Sequence, residues 1–386
     1  MLAWPNPAAL VRMPPPRLAA LMVGSIFLAG LVVATSSASF LLPENWTQGT
    51  PDFPSHPLAR AWVHWDAGWY AQIAATGYWY TPGEQSPVAF FPAYPLVVGA
   101  FQALGLNRYH GGILVSAGCG LAALLLFFRW AERLSPSRSA LTATALLSLY
   151  PFSFFLYGAM YSDALFLLAV VGAFWALEKE QLGWAILLGA IATAARPIAP
   201  AVVLGLTVRH FELRKARGAA LGLALLLPLL AATGLVAYMT YLGLRFDDPL
   251  AFVHTQSAPG WAQGVGWKTW LKLSLFEELI EVHRPGTFLK LAHGLIALGG
   301  LALVVPTWRQ LGKGYALYSL AAIGIPTLSS KDFMGLGRYT IAAFPLFLTL
   351  ALLSENRRPL LRWWLFASAL GLLLLTAAFA ADKYVA

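Results

Sequence analysis

AFFPAYPLVVGAFQALGL, residues 89–106, is as apolar as any stretch of this chain, and whether it crosses a bilayer decides which side every later loop faces. The surrounding sequence reads as a polytopic membrane protein. Of 386 residues, 59% are hydrophobic and only 11% charged, whereas a soluble domain carries about a quarter charged. Runs of roughly 17 to 25 apolar residues can cross a hydrocarbon core. Apolar runs and the charges that end them delimit candidate spans at Leu18–Phe40, Gly111–Trp130, Ala140–Tyr157, Asp163–Leu177, Gly183–Ala195, Pro197–Val208, Ala219–Gly243, Phe288–Val305, Tyr315–Leu328, Tyr339–Leu353 and Trp363–Ala380.

Suppose 89–106 does not cross. One side then collects Arg12 and Arg17; Arg129, Arg133 and Arg138; Lys179; Arg209, Arg214, Lys215 and Arg217; Arg309 and Lys313; and Arg357, Arg358 and Arg362. These are 15 of the 26 basic residues, all in short loops, as the positive-inside rule expects. The opposite side holds the long loops and all seven aspartates. A crossing at 89–106 would move the later basic loops outside and break this pattern. The stretch is therefore expected to lie along, or dip into, the outer face. Pro92 and Pro95 near its start also disfavour a straight span.

The same parity explains the net charge of +9 without nucleic acid, since the basic residues lie in short loops. Cys119 is the only cysteine and sits in an apolar run, which excludes an intramolecular disulfide or a cysteine metal site. The N-terminal apolar stretch is long and follows a proline-rich segment, so an uncleaved first span is favoured over a signal peptide. Gly183–Ala195 and Pro197–Val208 each reach only about 20 Å at 1.5 Å per residue, against a core of about 30 Å. They read as two short helices meeting partway in, with Arg196 at the apex; the alternative is one kinked helix. The expected fold class is an all-α polytopic membrane protein of about 10–12 transmembrane helices. It forms one domain over 1–386, with interfacial helices in a first outer loop at 41–109 and a second large outer loop at 244–287.

Polar chemistry is concentrated in those outer segments. In HWDAGWYAQIAATGYWY (64–80), a helix over His64–Ala75 would align Trp62, Trp65, Trp69 and Ile73 in one stripe, with Tyr70 one turn from Asp66 and Gly77 ending it. An interfacial helix with a solvated Asp66 is one reading. The other is a sugar site, in which rings pack on pyranose faces and Asp66 accepts a hydroxyl proton; His64, Trp65, Trp69 and Tyr70 are then candidate substrate contacts. LYGAMYSDALFLL (156–168) puts Tyr161, Ser162 and Asp163 at the outer end of a span, where helix capping competes with a functional role. Arg196, Arg338 and Lys331 are either snorkelling anchors or partners for a ligand phosphate. Asp247-Asp248-Pro249 reads as a turn, with His254 and Gln256 as possible ligand contacts.

In order along the chain, HWDAGWYAQIAATGY, AFFPAYPLVV, YPFSFFLYGAMYSDALF, ATAARPIAP, YLGLRFDDPLAFVHTQ and GRYTIAAFPLF resemble the PIG-V mannosyltransferases, relatives of the second mannosyltransferase of GPI-anchor synthesis within the GT-C superfamily. The match runs from about Trp62 to Phe347, and the WD-x-x-WY and FFP-x-YP pair is its most specific part. Asp163 departs from the pattern, which has glutamate there; the charge is kept and the reach shortened. The resemblance implies a GT-C-like bundle and transfer of one hexose, typically mannose, from a polyprenyl-phosphate donor to a lipid, glycan or protein acceptor at the extracytoplasmic face of a bacterial-type plasma membrane. It makes Asp66 the catalytic base, with Asp163 the second catalytic candidate.

An acceptor hydroxyl needs a base, and a phosphate leaving group needs only cations, here Arg196, Arg338 and Lys331. One base with direct displacement predicts inversion. No nucleotide-binding glycine loop is evident, and no cofactor is expected to be obligatory. A divalent metal shared by Asp66 and Asp163 is conceivable but not favoured on two carboxylates. The competing class is a transporter or flippase for a lipid-linked saccharide, which would be expected to carry polar groups at the midplane and repeated halves.

Overall fold

The computed structural model describes residues 13–43, 45–47, 49–50, 52–220, 222–264, 266–280 and 286–385; Arg12 of the basic set lies outside them. Among the described residues there are helices and no strands. In chain order, the α-helices are α1 Pro15–Leu41, α2 Pro57–Trp62, α3 Ala67–Thr76, α4 Ala93–Ala103, α5 Arg108–Leu134, α6 Ser137–Ser148, α7 Asp163–Glu178, α8 Leu182–Thr193, α9 Ala199–Ala216, α10 Thr233–Phe246, α11 Ala251–His254, α12 Trp267–Trp270, α13 Leu273–Ile280, α14 Thr287–Ala302, α15 Val304–Leu311, α16 Lys313–Ser329, α17 Leu336–Tyr339, α18 Pro345–Leu353 and α19 Arg358–Ala380.

Among the described residues, five helical stretches are long and apolar enough to cross a membrane: α1, α5, a 3₁₀ lead-in with α10, α14 with α15, and α19. A sixth is available if the pair around α17 and α18, bent by 88°, makes one crossing. The remaining expected crossings are shorter or broken. Ala140–Tyr157, expected as one span, divides into α6 and a 3₁₀ turn at Ser153–Leu156 around Pro151. Expected to stop near Val208, α9 instead runs to Ala216 because the charge at Arg209 is paired inside the bundle with Glu178.

The 89–106 stretch does not form a straight span. Its helix, α4, has 11 residues and reaches only about 16 Å, too short for a core of about 30 Å. Pro92 is its N-cap residue, so the prolines precede and open the helix rather than interrupt it.

Burial separates inner from outer helices. More than half of the apolar window of α5 is buried (56%), against 22% for α1 and 28% for α19. The outward faces of the peripheral helices expose large apolar side chains such as Leu28, Leu244 and Phe366, as lipid contact requires. Around the inner pair α5 and α7, the core fills with aromatic rings, among them Phe127, Trp130, Phe154, Phe174 and Phe344. Close approach sets the glycines here: a methyl group at Gly120 of α5 would strike the Leu156 carbonyl. The chain is an integral, multi-pass membrane protein by these criteria.

The first loop is fastened to the helix ends around one spot. Met160 N–H donates to the Trp62 carbonyl at 3.0 Å, and Ala93 N–H donates to the Ala194 carbonyl in the break between α8 and α9 at 2.9 Å. Tyr94 donates to the Gly112 carbonyl of α5 at 2.8 Å, and Ser116 of α5 donates to the Tyr161 carbonyl at 3.2 Å. Asp66, Asp163 and Arg196 are thereby drawn together from distant parts of the sequence.

Candidate active site

The expected helix over His64–Ala75 is not continuous, and its tryptophan stripe does not form. Trp62 ends α2 and is fully buried, the chain turns at Trp65 with a φ of 54°, and α3 begins at Ala67. A left-handed tryptophan is costly and persists only where its surroundings hold it. The turn leaves Asp66 as the N-cap residue of α3, yet its carboxylate caps no backbone group. Gly77 does end the helix, with a φ of 79° and its N–H on the Ile73 carbonyl.

The free carboxylate of Asp66 faces Arg338 instead, with Oδ2 3.2 Å from Nη1. Arg338 Nε lies 3.9 Å from Asp163 Oδ1, close enough for ion pairing but too far for a hydrogen bond. Asp163 is in direct hydrogen-bonded contact with Arg196. Two carboxylates and two guanidinium groups thus alternate in a chain, Asp66–Arg338–Asp163–Arg196, whose formal charges cancel. Asp163 is 3% exposed and both arginines about a tenth, whereas Asp66 is 33% exposed. Asp66 is the open end of a buried network.

Aromatic rings wall this network. The Arg338 guanidinium lies about 5 Å from the rings of Tyr161, Phe155 and Tyr339, and Arg196 sits over Tyr339 and Phe166. The Tyr161 hydroxyl accepts from the Asp66 N–H and donates to the His64 carbonyl, both at 3.1 Å, so it clamps the Trp65 turn. Burial, then the adjacent Asp66 charge, pushes the Tyr161 phenol well above its ordinary value and keeps its proton in place. Ser162 is the N-cap residue of α7 but makes no capping bond; its hydroxyl meets the Tyr70 hydroxyl at 2.9 Å. Side-chain capping therefore does not account for Ser162.

The other expected contacts divide. Trp69 is half-buried in a group of rings with Phe90, Trp79 and Trp261, at centroid separations of 5.8–6.2 Å. Lys331 Nζ donates to the Trp261 carbonyl at 3.0 Å, which ties this lysine to the ring group rather than to either aspartate. His254 is exposed and bonds Asp248 at 2.7 Å, while Gln256 bonds Gln263 through its backbone. Among the described residues no hydrogen bond or ion pair joins His254 or Gln256 to the network around Asp66.

His64 is fully enclosed, and its Nδ1 meets Asp382 Oδ1 at 3.1 Å. Asp382 also accepts from Trp46 Nε1 at 3.1 Å, and the Tyr384 ring packs on Trp65 at 5.1 Å. The segment after α19 therefore returns to the Asp66 turn, a feature the sequence reading missed. Its only signal was an aspartate and a tyrosine just beyond the last apolar run.

A divalent cation fits poorly here. Asp66 and Asp163 each already face a guanidinium, and no group of three His, Cys, Asp or Glu gathers among the described residues.

No family model matches the chain, and no curated protein matches it by sequence. Among solved structures, ArnT from Cupriavidus metallidurans in the apo state aligns with a TM-score of 0.52 at 14% identity, covering 95% of this chain and 76% of that one. The same protein bound to undecaprenyl phosphate aligns at 0.49 and 13% identity, over the same shares of the two chains. The apo Archaeoglobus fulgidus oligosaccharyltransferase aligns at 0.45 and 12% identity, over 93% of this chain and 56% of its own. The apo ArnT likeness and the all-helical architecture show the fold expected from the sequence, a GT-C-like bundle.

Proposed function

We propose that this protein is an inverting glycosyltransferase of the PIG-V type, moving one hexose, mannose, from a polyprenyl-phosphate donor to an acceptor hydroxyl at the extracytoplasmic membrane face. The observation that carries the reading is the state of Asp66: its carboxylate is unspent on helix capping, a third exposed, and held beside the buried Arg338, which Asp163 links to Arg196. In the proposed reaction Asp66 removes the acceptor proton, and the acceptor oxygen attacks the anomeric carbon. The bond from that carbon to the phosphate oxygen breaks, and its electron pair leaves with the polyprenyl phosphate. Arg338 and Arg196 meet the charge growing on the phosphate, and Asp163 positions both guanidinium groups. Displacement at one face by one base inverts the anomeric centre.

The prenyl tail of such a donor would remain in lipid beside the exposed apolar helix faces. The motifs linking Asp66, Asp163, Arg196 and Arg338 are those on which the PIG-V resemblance rests, and all four side chains meet in one network.

The test is a donor and acceptor assay in nanodiscs. Polyprenyl-phosphate mannose and its glucose counterpart are each supplied with a membrane lipid and glycan extract, and labelled product is sought. Transfer from the mannose donor with inverted configuration is the expected result. Transfer with retention would reject the single-base mechanism. Donor movement across the bilayer without sugar transfer would replace the enzyme with a flippase.

A further inference from the structure

The proposed donor site is already full of counter-charge. Arg338 and Arg196 face Asp66 and Asp163, so an incoming phosphate meets a network with no formal positive charge to spare. Two features show where the network can open. Arg338 is 8% exposed, and its Nε is buried without a hydrogen-bond partner among the described residues. Such a donor is costly to leave unmade. Its partner Asp66 is held by one bond of 3.2 Å and is the exposed member of the four. Asp163, by contrast, is buried against both guanidinium groups.

We infer that the donor phosphate binds by exchange: it takes the Arg338 fork, including the unpartnered Nε, and displaces Asp66, which is thereby released to act as base only when donor is present. The inference rests on the phosphate-donor reading above. Phosphate oxygens match the guanidinium fork in two places, whereas Asp66 now holds Nη1 alone and Nη2 has only the neutral Tyr339 hydroxyl at 3.3 Å. No covalent bond changes in this step; one anion replaces another on Arg338. The exchange also gives the acceptor hydroxyl no active base in the absence of a sugar to receive it.

The exchange makes an unusual prediction, because the variant that loses the base should hold the phosphate more tightly. Farnesyl phosphate binding is measured by calorimetry on the full-length protein in detergent, for wild type, Asp66→Asn and Arg338→Gln. Exchange predicts that Asp66→Asn binds about tenfold more tightly than wild type, since the competing carboxylate is gone, while Arg338→Gln binds at least tenfold more weakly. Equal or weaker binding by Asp66→Asn, with wild-type binding intact, overturns the exchange and leaves the phosphate-donor reading standing. Binding by neither wild type nor Asp66→Asn overturns both. Asp66→Ser carries the same prediction and covers an asparagine variant that fails to fold.

Discussion

Helix α7 carries a buried carboxylate at each end, Asp163 and Glu178, roughly 22 Å apart along the axis, and the two are held differently. Glu178 Oε1 accepts from Arg209 Nε at 2.6 Å and from the Tyr315 hydroxyl at 2.8 Å. The Glu178 carbonyl takes both Nε and Nη2 of Arg133, Trp130 donates to the Tyr315 oxygen, and Glu212 fastens Arg209 to the backbone at Lys313. Glu178, Arg209 and Glu212 are all paired, and the result is a latch between α5, α7, α9 and α16. At the Asp163 end an arginine Nε lacks a partner among the described residues, one carboxylate is open, and a tryptophan is held at positive φ. The same chemistry therefore serves stability at one end and leaves capacity for a ligand at the other.

The largest effect expected from this contrast is on stability. Glu178→Ala leaves Arg209 with Glu212 as its one remaining carboxylate and strips the buried Tyr315 hydroxyl of its acceptor, and should cost about 3 kcal/mol, read as a fall in thermal midpoint in detergent. Catalytic rate per folded molecule should hold. A fall in that rate would break the distinction between the two ends.

Arg338→Lys should act the other way. A lysine keeps one charge but cannot bridge Asp66 and Asp163, so sugar transfer should drop about a hundredfold, roughly 2.7 kcal/mol of barrier. The melting point should shift much less than for Glu178→Ala. Unchanged turnover would remove Arg338 from the site.

Smaller again is Tyr161→Phe, which removes the clamp on the Trp65 turn and should cost about 1 kcal/mol. Activity would follow if the clamp aims Asp66. The smallest effect concerns the returning C-terminal segment. The His64 hydrogen bond, followed by that from Trp46, holds Asp382 below its ordinary value of 3.8 despite some burial. A depressed carboxylate contributes stability that is present above the unfolded value and is lost as pH falls through the folded one. Asp382→Asn should therefore lower stability slightly at neutral pH, where the carboxylate is ionised, and flatten the acid limb of the stability profile below about pH 4.

The sequence made the Asp163 end more legible than the latch. Asp66, Asp163, Arg196 and Arg338 stood out because ionisable residues are rare near apolar runs, and all four meet. Pro92 and Pro95 anticipated that 89–106 would not be a straight span, and the short α4 agrees with the basic-loop parity, which argues against a crossing there. Glu178 and Arg209 were passed over because charges at helix ends look like ordinary boundaries until α9 is seen to run past Val208. The break at Trp65 was hidden because apolar spacing across Trp62, Trp65 and Trp69 fits a helix as well as it fits two helices and a turn. Asp382 and Tyr384 were hidden by distance: a contact across 318 residues leaves no periodic trace.

The most direct test is single-turnover release of polyprenyl phosphate from polyprenyl-phosphate mannose by wild type and by Asp66→Asn of matched thermal stability. Loss of a base of this kind should slow release by about 10²–10⁴-fold while the wild type turns over. Equal release by the two proteins would contradict the assignment of Asp66 as base and direct attention to Asp163 at the buried end of the same network.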